Sequence, residues 1–341
     1  MRMFLGVDGG GTKTDFLLID ESGRILSRQR EGSAYYLETG VEGLRALLAR
    51  GITATLAQGS VSAGDLSFAF VGLPAHGEDS RLLPVLDAAP SAVLPARRYR
   101  CGNDMVCGWA GALAGRDGIN IVAGTGSIAY GEFAGRTARG GGWGELFSDE
   151  GSAYWVAREG LSLFSRMSDG RTARGPLHVL LREHFALQDD LDICAAVYGP
   201  PPMTRSAIAA LAPLVAQAAR AGDEKARSLF AAASLELAAV VHALRDRLEV
   251  PESHALPVSY SGGMFQFADL LMEPFRAALS DSGRAYEFTP PRLSPEAGAV
   301  LYAARLAGMP LSPSALGELQ RQLGAMSNEG TVGNEGTVGN E

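Results

Sequence analysis

The chain opens with short apolar runs separated by polar or glycine-rich turns. Residues 3–7 and 16–19 are apolar and flank three successive glycines, and a third apolar run begins at Ile25 after a polar turn. Runs of this length bounded by glycine indicate strands joined by tight turns. The pattern therefore predicts a β-meander whose first turn is rich in glycine.

A helix, a strand and a second helix follow this meander. Apolar residues recur at helical spacing over residues 41–56, residues 66–72 are largely apolar, and residues 104–113 have a polar start and an apolar body. These patterns indicate a helix, a buried strand and a short helix. Together with the meander they predict a βββαβα unit.

The same order begins again after residue 118. A strand is predicted at residues 119–123, a turn at 124–127 and another strand at 128–133. The elements predicted after them are helices at residues 149–167, 206–221, 229–248 and 295–307, and a strand at 256–260. The second half therefore reads as a copy of the first with a helical insertion.

We accordingly predict two α/β domains, for which 341 residues suffice. The N-terminal domain comprises residues 1–116, and the C-terminal domain comprises residues 117–325, with a last helix able to pack back on the N-terminal domain. Residues 326–341 contain a polar six-residue repeat, Asn-Glu-Gly-Thr-Val-Gly, which has nothing to bury. This composition predicts a flexible tail.

Charge and cysteine content narrow the class of protein. The chain has 30 basic and 38 acidic residues, a formal charge of −8 and no run of basic residues of the kind that neutralises many phosphates. Nucleic acids and membranes are therefore not expected partners. Three cysteines without a C-x-x-C spacing indicate neither a disulfide framework nor a zinc site. Because the sequence shows no signal-peptide core and no apolar segment of 18 residues, we expect a cytoplasmic protein.

The first glycine turn carries candidate chemistry. Asp8 ends the predicted strand, and Lys13 is one of only two lysines in the chain. The turn between them comprises Gly9, Gly10, Gly11 and Thr12. Successive glycines allow backbone N–H groups to converge on an anion, Lys13 adds a point charge beside it, and a carboxylate suits Mg²⁺. On these residues alone, a plain hairpin with a solvated lysine is an equal explanation.

The second turn, Gly124-Thr125-Gly126-Ser127, carries two hydroxyl groups. Its letters fit the dinucleotide-binding pattern, but a strand follows where that pattern needs a helix. The first turn likewise lacks the spacing of a P-loop. Two such hairpins in paired domains are suited to hold a polyphosphate from two sides.

The order of these motifs resembles that of a known superfamily. An aspartate-bearing glycine hairpin, a second G-T-G-S hairpin, a late S-G-G and a terminal P-x-x-G-A helix occur in this order in sugar kinases, Hsp70 and actin. Residues 3–307 are similar to the N-acetylglucosamine kinases of the BadF/BadG/BcrA/BcrD-type ATPase family. The most specific segment is residues 141–155, Gly-Gly-Trp-Gly-Glu-Leu-Phe-Ser-Asp-Glu-Gly-Ser-Ala-Tyr-Trp.

The resemblance implies two actin-like (ribonuclease H-like) domains with duplicated βββαβα cores and an ATP cleft between the domains. It implies that Asp8 lies beside Mg²⁺ and that Asp104 is the catalytic base. The ATP contacts that it implies are Gly9 to Thr12 around the phosphates, Thr125, Gly126 and Ser127 at the γ-phosphate, and Gly262 and Gly263 under the adenosine.

The resemblance also implies that Asp149 holds hydroxyl groups of a sugar. The other sugar contacts that we predict are Tyr35, Asn103, Gly142, Trp143 and Gly144. The early loop Ser33-Ala34-Tyr35-Tyr36 lacks the asparagine that the family usually carries, which leaves the identity of the sugar open. On the residues alone, Asp104 is also explained as a helix cap, Asp149 as a first-turn acid and Tyr35 by packing.

The predicted function is ATP-dependent phosphorylation of the 6-hydroxyl of N-acetylglucosamine, with glucosamine and N-acetylmuramic acid as alternative acceptors. Another alternative is an ATP-driven activator of a CoA-thioester dehydratase or reductase, a class that holds an iron–sulfur cluster between subunits. Cys101 and Cys107 form the only cysteine pair close in sequence, beside Asp104 rather than at an expected dimer surface. An ATP-binding sensor without turnover is a third alternative, and the sequence leaves a homodimer open.

Overall fold

The computed structural model describes residues 1–332. Two compact units are formed, one by Met1–Arg116 together with the chain from Pro291 onward and the other by Asp117–Pro290. The strands are β1 (Met3–Gly9), β2 (Thr14–Asp20), β3 (Ile25–Glu31), β4 (Phe68–Leu73), β5 (Tyr99–Asn103), β6 (Gly118–Ala123), β7 (Ser127–Phe133), β8 (Arg136–Gly141), β9 (Leu256–Ser261) and β10 (Tyr286–Phe288). The α-helices are α1 (Tyr36–Gln58), α2 (Leu83–Asp87), α3 (Met105–Ala112), α4 (Ala153–Ser168), α5 (Pro176–His184), α6 (Ile193–Tyr198), α7 (Arg205–Ala209), α8 (Ala212–Arg220), α9 (Glu224–Arg247), α10 (Ala268–Ser280), α11 (Pro295–Leu306) and α12 (Pro313–Val332).

Each unit is built on a five-stranded mixed sheet. The strand order is β3-β2-β1-β4-β5 in the first unit and β8-β7-β6-β9-β10 in the second. In both sheets the meander is antiparallel and the other two strand pairs are parallel. The chain is therefore an α/β protein with two copies of one sheet topology, as predicted.

Helices bury the sheet of the first unit. Strands β1 and β2 are buried along almost their whole length, which requires cover on both faces. Helix α1 packs against β2 and β3, and α11 packs against β1, β4 and α3. This packing fixes the ends of β1 and β4, where the candidate residues of this unit lie.

Helix α9 forms much of the core of the second unit. Its residues Phe230, Leu237, Val241 and Leu244 are fully buried at helical spacing, and it packs against α8, α10 and the meander strands. Among the described residues, α9 is the one helix long and apolar enough to cross a bilayer, a test that core helices also pass. Its packing identifies it as a core helix.

The structure adds three strands to those predicted. Strand β8 reads Arg-Thr-Ala-Arg-Gly-Gly and lacks an apolar run, and β10 has only three residues. The missed strand β5 pairs with β4 in parallel. Short or polar strands show no apolar periodicity in the sequence. They are held in the sheet by pairing with a neighbouring strand, which the sequence pattern does not reveal. Each predicted βββαβα core is present and carries one further strand.

Two predicted helices differ from the observed ones. The helix predicted at residues 206–221 is two helices, α7 and α8, because Pro213 lies in the first turn of α8, where proline is favoured. The helix predicted from residue 149 begins only at Ala153, since the Ser152 side chain accepts a capping hydrogen bond from the N–H of Trp155 at 3.1 Å. The structure also adds helices that were not predicted, namely α2, α5, α6, α10 and α12.

The end of the chain also differs from the prediction. Residues 291–325, assigned above to the C-terminal domain, lie with the first unit because α11 packs on β1 and α3. Helix α12 is joined to β3 by a hydrogen bond of 3.0 Å from the Ile25 N–H to the Gln322 side chain, and it extends to Val332. The tail predicted from residue 326 therefore starts inside a helix, and residues 333–341 lie outside the described residues.

Candidate active site

The first glycine turn joins β1 to β2 beside two acidic side chains. Asp8 lies opposite Asp15 in the hairpin, and the Gly10 N–H donates to the Lys13 carbonyl at 2.8 Å to close the turn. Within the described residues, the N–H groups at positions 11–13 have no acceptor. Neighbouring N–H groups of this kind form a concavity that binds anions, so the turn has donors available for a phosphate.

Lys13 is held at this turn by Asp15. The Lys13 ammonium lies 2.9 Å from one Asp15 carboxylate oxygen, and the Arg30 guanidinium lies 2.7 Å from the other. Burial acts to raise the pKa of Asp15, but the hydrogen bonds to Arg30 and Lys13 outweigh it and lower that pKa. Asp15 is therefore ionised, and it orients a lysine whose side chain remains 56% exposed.

Asp8 lies in a group of acidic side chains of the first unit. Burial is the main cause that raises the pKa of Asp8 to about 8. The carboxylates of Asp104, Glu296 and Asp15 raise it further, and Lys13 lowers it. Glu296 is itself buried and paired with Arg28 at 2.7 Å. A cation near Asp8 would offset the repulsion among these groups.

The carboxylate oxygens around Asp8 are of the type that Mg²⁺ prefers as ligands. Within residues 1–332, no group of three or more His, Cys, Asp or Glu side chains is arranged to hold a metal ion by itself. Mg²⁺ commonly takes one or two carboxylates and completes its shell with water and substrate phosphates. Asp8 is thus suited to a shared magnesium site rather than to a cage made by the protein alone.

Asp104 begins α3 directly after β5. Its N–H donates to the Leu73 carbonyl at the end of β4 at 3.2 Å. Its side chain makes no capping hydrogen bond. The Asn103 side chain instead accepts from the Met105 N–H at 3.1 Å and donates to the His76 carbonyl at 3.1 Å. The explanation of Asp104 as a helix cap is therefore wrong, because Asn103 bonds the start of the helix. As a sugar contact Asn103 stays a prediction.

The early tyrosines pack into the first unit. Tyr36 is 6% exposed and belongs to the core, and Tyr35 packs partly buried against the same core. Their rings meet edge to face with centroids 6.5 Å apart. Packing accounts for Tyr36, and a sugar contact by Tyr35 stays a prediction.

The second glycine turn joins β6 to β7. The Gly124 N–H donates to the Gly126 carbonyl at 2.8 Å. The first N–H groups of α4 bind the outer side of the turn, since Ala153 donates to the Gly124 carbonyl at 2.8 Å and Tyr154 to the Thr125 carbonyl at 3.4 Å. In the described part of the chain, the N–H groups of Thr125 and Gly126 have no acceptor. This turn therefore also offers donors to an anion.

Asp149 approaches the second turn from the loop before α4. Its carboxylate accepts the Ser127 N–H at 3.4 Å and forms an ion pair with Arg205. The side chain is 2% exposed, and the backbone has a φ of +62°. Burial raises the pKa of Asp149, although Arg205 and the Ser127 N–H act to lower it. Because α4 begins at Ala153, the explanation of Asp149 as a first-turn acid is wrong.

The loop from β8 to α4 exposes apolar side chains. Gly142 and Gly144 have φ values of +68° and +99°, and Trp143 between them is 72% exposed. Leu146 and Phe147 are also largely exposed. The loop thus presents an aromatic ring to solvent between two glycines, and its predicted contact with a sugar stays a prediction.

A cleft of about 400 Å³ lies beside the second turn, within the second unit. This volume is in the range of small-molecule sites. The residues that line it are Gly124, Thr125, Ala153, Ser206, Ala209, Ala210, Ala212, Pro213, Gly263, Gln266 and Phe267. Gly262 brings the S-G-G segment against the turn: its φ is +99°, and a Cβ there would collide with the Ala123 carbonyl oxygen. The structure therefore joins the G-T-G-S and S-G-G motifs in one cleft.

Several residues of these sites escape sequence reasoning. Arg205 contacts Asp149 from 56 positions further along the chain, with no motif around it. Gln266 and Phe267 follow the S-G-G motif, and this proximity was a usable signal. Glu296 lies in the P-x-x-G-A motif, but only folding shows that it faces the acidic group around Asp8.

The three cysteines do not lie together at one exposed surface of the protein. Cys101 and Cys107 are buried in the first unit, and Cys194 is exposed in the second. Burial raises the pKa of Cys107 well above its usual value, as do the neighbouring Asp8 and Asp104. A protonated, buried thiol is a poor ligand for a cluster that two subunits share, which weighs against the activator alternative.

Comparison with known proteins gives one family over most of the chain. The profile of the BadF/BadG/BcrA/BcrD ATPase family matches residues 5–303. The N-acetyl-D-glucosamine kinase of Dictyostelium discoideum is 25% identical over 314 residues, which cover 89% of this chain and 98% of the relative. The N-acetylmuramic acid/N-acetylglucosamine kinase of Clostridium acetobutylicum is 25% identical over 281 residues, 82% of this chain and 91% of the relative.

A solved structure gives the same result for the fold. A Chromobacterium violaceum protein, provisionally described as an N-acetylglucosamine kinase, superposes with a TM-score of 0.68 at 27% identity. The match covers 88% of this chain and 98% of that one.

Proposed function

The chain belongs to the BadF/BadG/BcrA/BcrD ATPase family, and from this premise we propose that it transfers the terminal phosphate of ATP to the 6-hydroxyl of an amino sugar. Relatives of similar length are named as kinases of N-acetylglucosamine or N-acetylmuramic acid. Family membership supports ATP as the phosphate donor. The acceptor and the residues that act on it are the finer part of the proposal.

The observation that carries the proposal is the cleft of the second unit. It places the Gly124 and Thr125 turn, with donors for phosphate, beside the Gly263 segment and an apolar wall of alanines and Phe267. A nucleotide needs this combination, because its phosphates require N–H donors and its base requires apolar contact. We assign the adenosine to this cleft and the phosphates to the adjoining turn at Gly124 and Thr125.

Asp104 is proposed as the base that accepts the proton of the acceptor hydroxyl. Phosphoryl transfer has a loose transition state, so positioning and charge neutralisation supply most of the catalysis. A carboxylate at the start of a rigid helix supplies the proton acceptor in a fixed direction. Asp8 is proposed to hold Mg²⁺, which when bound neutralises the developing charge on the phosphates.

N-acetylglucosamine is the proposed acceptor, and N-acetylmuramic acid is the candidate that the name of the Clostridium relative supports. Glucosamine remains a further alternative because the early loop at residues 33–36 lacks the family's asparagine. Asp149 and the loop around Trp143 are proposed to contact the sugar. These assignments concern which sugar is bound and not the type of reaction. A single panel of acceptor sugars therefore tests them.

The test is an ADP-release assay with Mg²⁺ and ATP across N-acetylglucosamine, N-acetylmuramic acid, glucosamine and glucose. We expect ADP release that depends on an amino sugar, with N-acetylglucosamine giving the highest kcat/KM. The same assay with 6-deoxy-N-acetylglucosamine should give only background, since it lacks the acceptor hydroxyl. ADP release without any dependence on a sugar, or none at all with ATP bound, would contradict the kinase proposal.

A further inference from the structure

An ion pair lies directly on the second glycine turn. A Cβ atom added at Gly126 would collide with the Arg205 guanidinium and would lie 2.8 Å from one Asp149 carboxylate oxygen. The other Asp149 oxygen accepts the Ser127 N–H at 3.4 Å. The Arg205–Asp149 pair therefore covers the middle and the end of the turn.

Arg205 has a second acidic partner away from the turn. Its guanidinium lies 3.5 Å from the Glu145 carboxylate, and its side chain is 39% exposed. Arg205 is the first residue of α7, and the next residue, Ser206, lines the cleft. A partly exposed cation thus lies against the glycine turn and next in the chain to a residue that lines the cleft, within reach of an anion bound at the turn.

The burial and the backbone conformation of Asp149 on the turn are energetically unfavourable. The side chain is almost completely buried, and its backbone lies in the left-handed region, which is unfavourable for a residue other than glycine. Burial also raises the pKa of Asp149 despite the ion pair with Arg205. A carboxylate in this setting is readily displaced by an anion with more charge and more acceptor oxygens.

We propose that Arg205 is a phosphate-binding residue, and that Asp149 and the terminal phosphate of the nucleotide compete for the same place beside Arg205 and the Ser127 N–H. The inference rests on the proposed function and adds to it a competition between an internal carboxylate and the phosphate. On binding, Arg205 exchanges one anionic partner for another, and the Ser127 N–H exchanges a carboxylate oxygen for a phosphate oxygen. Asp149 then leaves the turn and is able to accept hydrogen bonds from a sugar.

The test measures the affinity of ATP and of adenosine by titration calorimetry. Asp149→Asn should bind ATP about tenfold more tightly than the unmodified protein, because no carboxylate has to be displaced; tenfold is about 1.4 kcal/mol. Arg205→Ala should bind ATP at least about tenfold more weakly. Adenosine, which has no phosphate, should bind all three proteins equally, and this binding also shows that the cleft is folded.

Glu145→Gln is the matched control. It removes a negative charge from the same arginine, but within residues 1–332 it is Asp149, and not Glu145, that accepts the Ser127 N–H of the turn. We expect its ATP affinity to stay within about twofold of the unmodified protein. Asp149→Gly serves as a second variant, since glycine also accepts the left-handed backbone and should tighten ATP binding as Asp149→Asn does.

The outcomes separate this inference from the function on which it rests. Equal ATP affinity in the unmodified protein, Asp149→Asn and Asp149→Gly would overturn the inference and leave the kinase proposal standing. The same holds if Glu145→Gln tightens ATP binding as much as Asp149→Asn does, because a general charge effect then explains both. Failure of the unmodified protein to bind ATP would overturn the proposed function and the inference together.

Discussion

The two glycine hairpins occupy the same place in the same sheet topology but carry different side chains. Beside the first turn, Asp8 lies opposite Asp15. The corresponding pair beside the second turn is Val122 opposite Ile128. The first hairpin therefore carries acids on its own strands, whereas the second receives an acid, Asp149, from a distant loop.

We propose that this difference reflects a division of labour between the units. The first unit concentrates carboxylates around Asp8, whose pKa is raised to about 8 mainly by burial and further by these neighbouring carboxylates. Such a group suits a cation and a proton acceptor. The second unit has six helices between β8 and β9 where the first has only α1 between β3 and β4, and the inserted α7 and α8 line its cleft. In the proposed function, the duplicated sheet supplies two turns with N–H donors for an anion, the first unit supplies Asp8 and Asp104 as the proposed catalytic acids, and the insertion supplies the proposed nucleotide cleft.

The largest effect is expected for Asp104→Asn in the first unit. The amide has the size of the carboxylate but does not accept a proton, so the rate of phosphate transfer should fall about 10³-fold. The affinities for ATP and for the sugar should stay within about threefold. The measurement is a single-turnover assay with labelled ATP, and Asp65→Asn, an exposed acid of the same unit, is the control. A rate within tenfold of the unmodified protein would refute the role of Asp104.

A smaller effect is expected for Asp8→Asn, which leaves Asp15 as the one acid of the pair beside the first turn. Changes in groups that only orient a metal ligand cost about 10–100-fold in metal affinity, so replacing a carboxylate that holds Mg²⁺ directly should weaken Mg²⁺ binding about 100-fold. In a titration of activity against Mg²⁺ at fixed ATP, the half-saturating concentration should rise accordingly. An unchanged magnesium dependence would remove Asp8 from the metal site. Asp65→Asn again serves as the control.

The smallest effect is expected for Ala210→Phe in the second unit. Ala210 lines the cleft, and a phenyl ring there should fill space meant for the adenosine and weaken ATP and adenosine binding about tenfold. Ala221→Phe is the matched control, because both alanines are exposed residues that end a helix, and Ala221 does not line the cleft. Equal nucleotide affinities for the two variants, measured by calorimetry, would place the adenosine elsewhere.

Local signals in the sequence predicted the strands and turns that carry the site. Glycine clusters at strand ends marked both turns, and the acidic start of α3 marked Asp104, because these features depend on neighbours in the chain. The polar β8 and the three-residue β10 gave no such signal, since their pairing partners hold them. The fold class was predicted correctly because the inner strands carry local signals, and the edge strands were missed because they carry none.

The remaining parts of the site depend on tertiary packing. Arg205 reaches the second turn only because α7 folds beside it, and Glu296 joins the acids around Asp8 only because α11 packs on β1. The cap of α3 likewise proved to be Asn103, which sequence spacing does not distinguish from Asp104. Local sequence patterns do not show which residues such packing brings together.

The division of labour between the two units is tested most directly by measuring, for Asp104→Asn and Ala210→Phe, both the Kd of ATP and the transfer rate at saturating ATP and sugar. We predict that Asp104→Asn keeps the Kd and loses the rate, whereas Ala210→Phe raises the Kd and keeps the rate. Both variants changing the same quantity, or Asp104→Asn retaining the rate, would contradict the account.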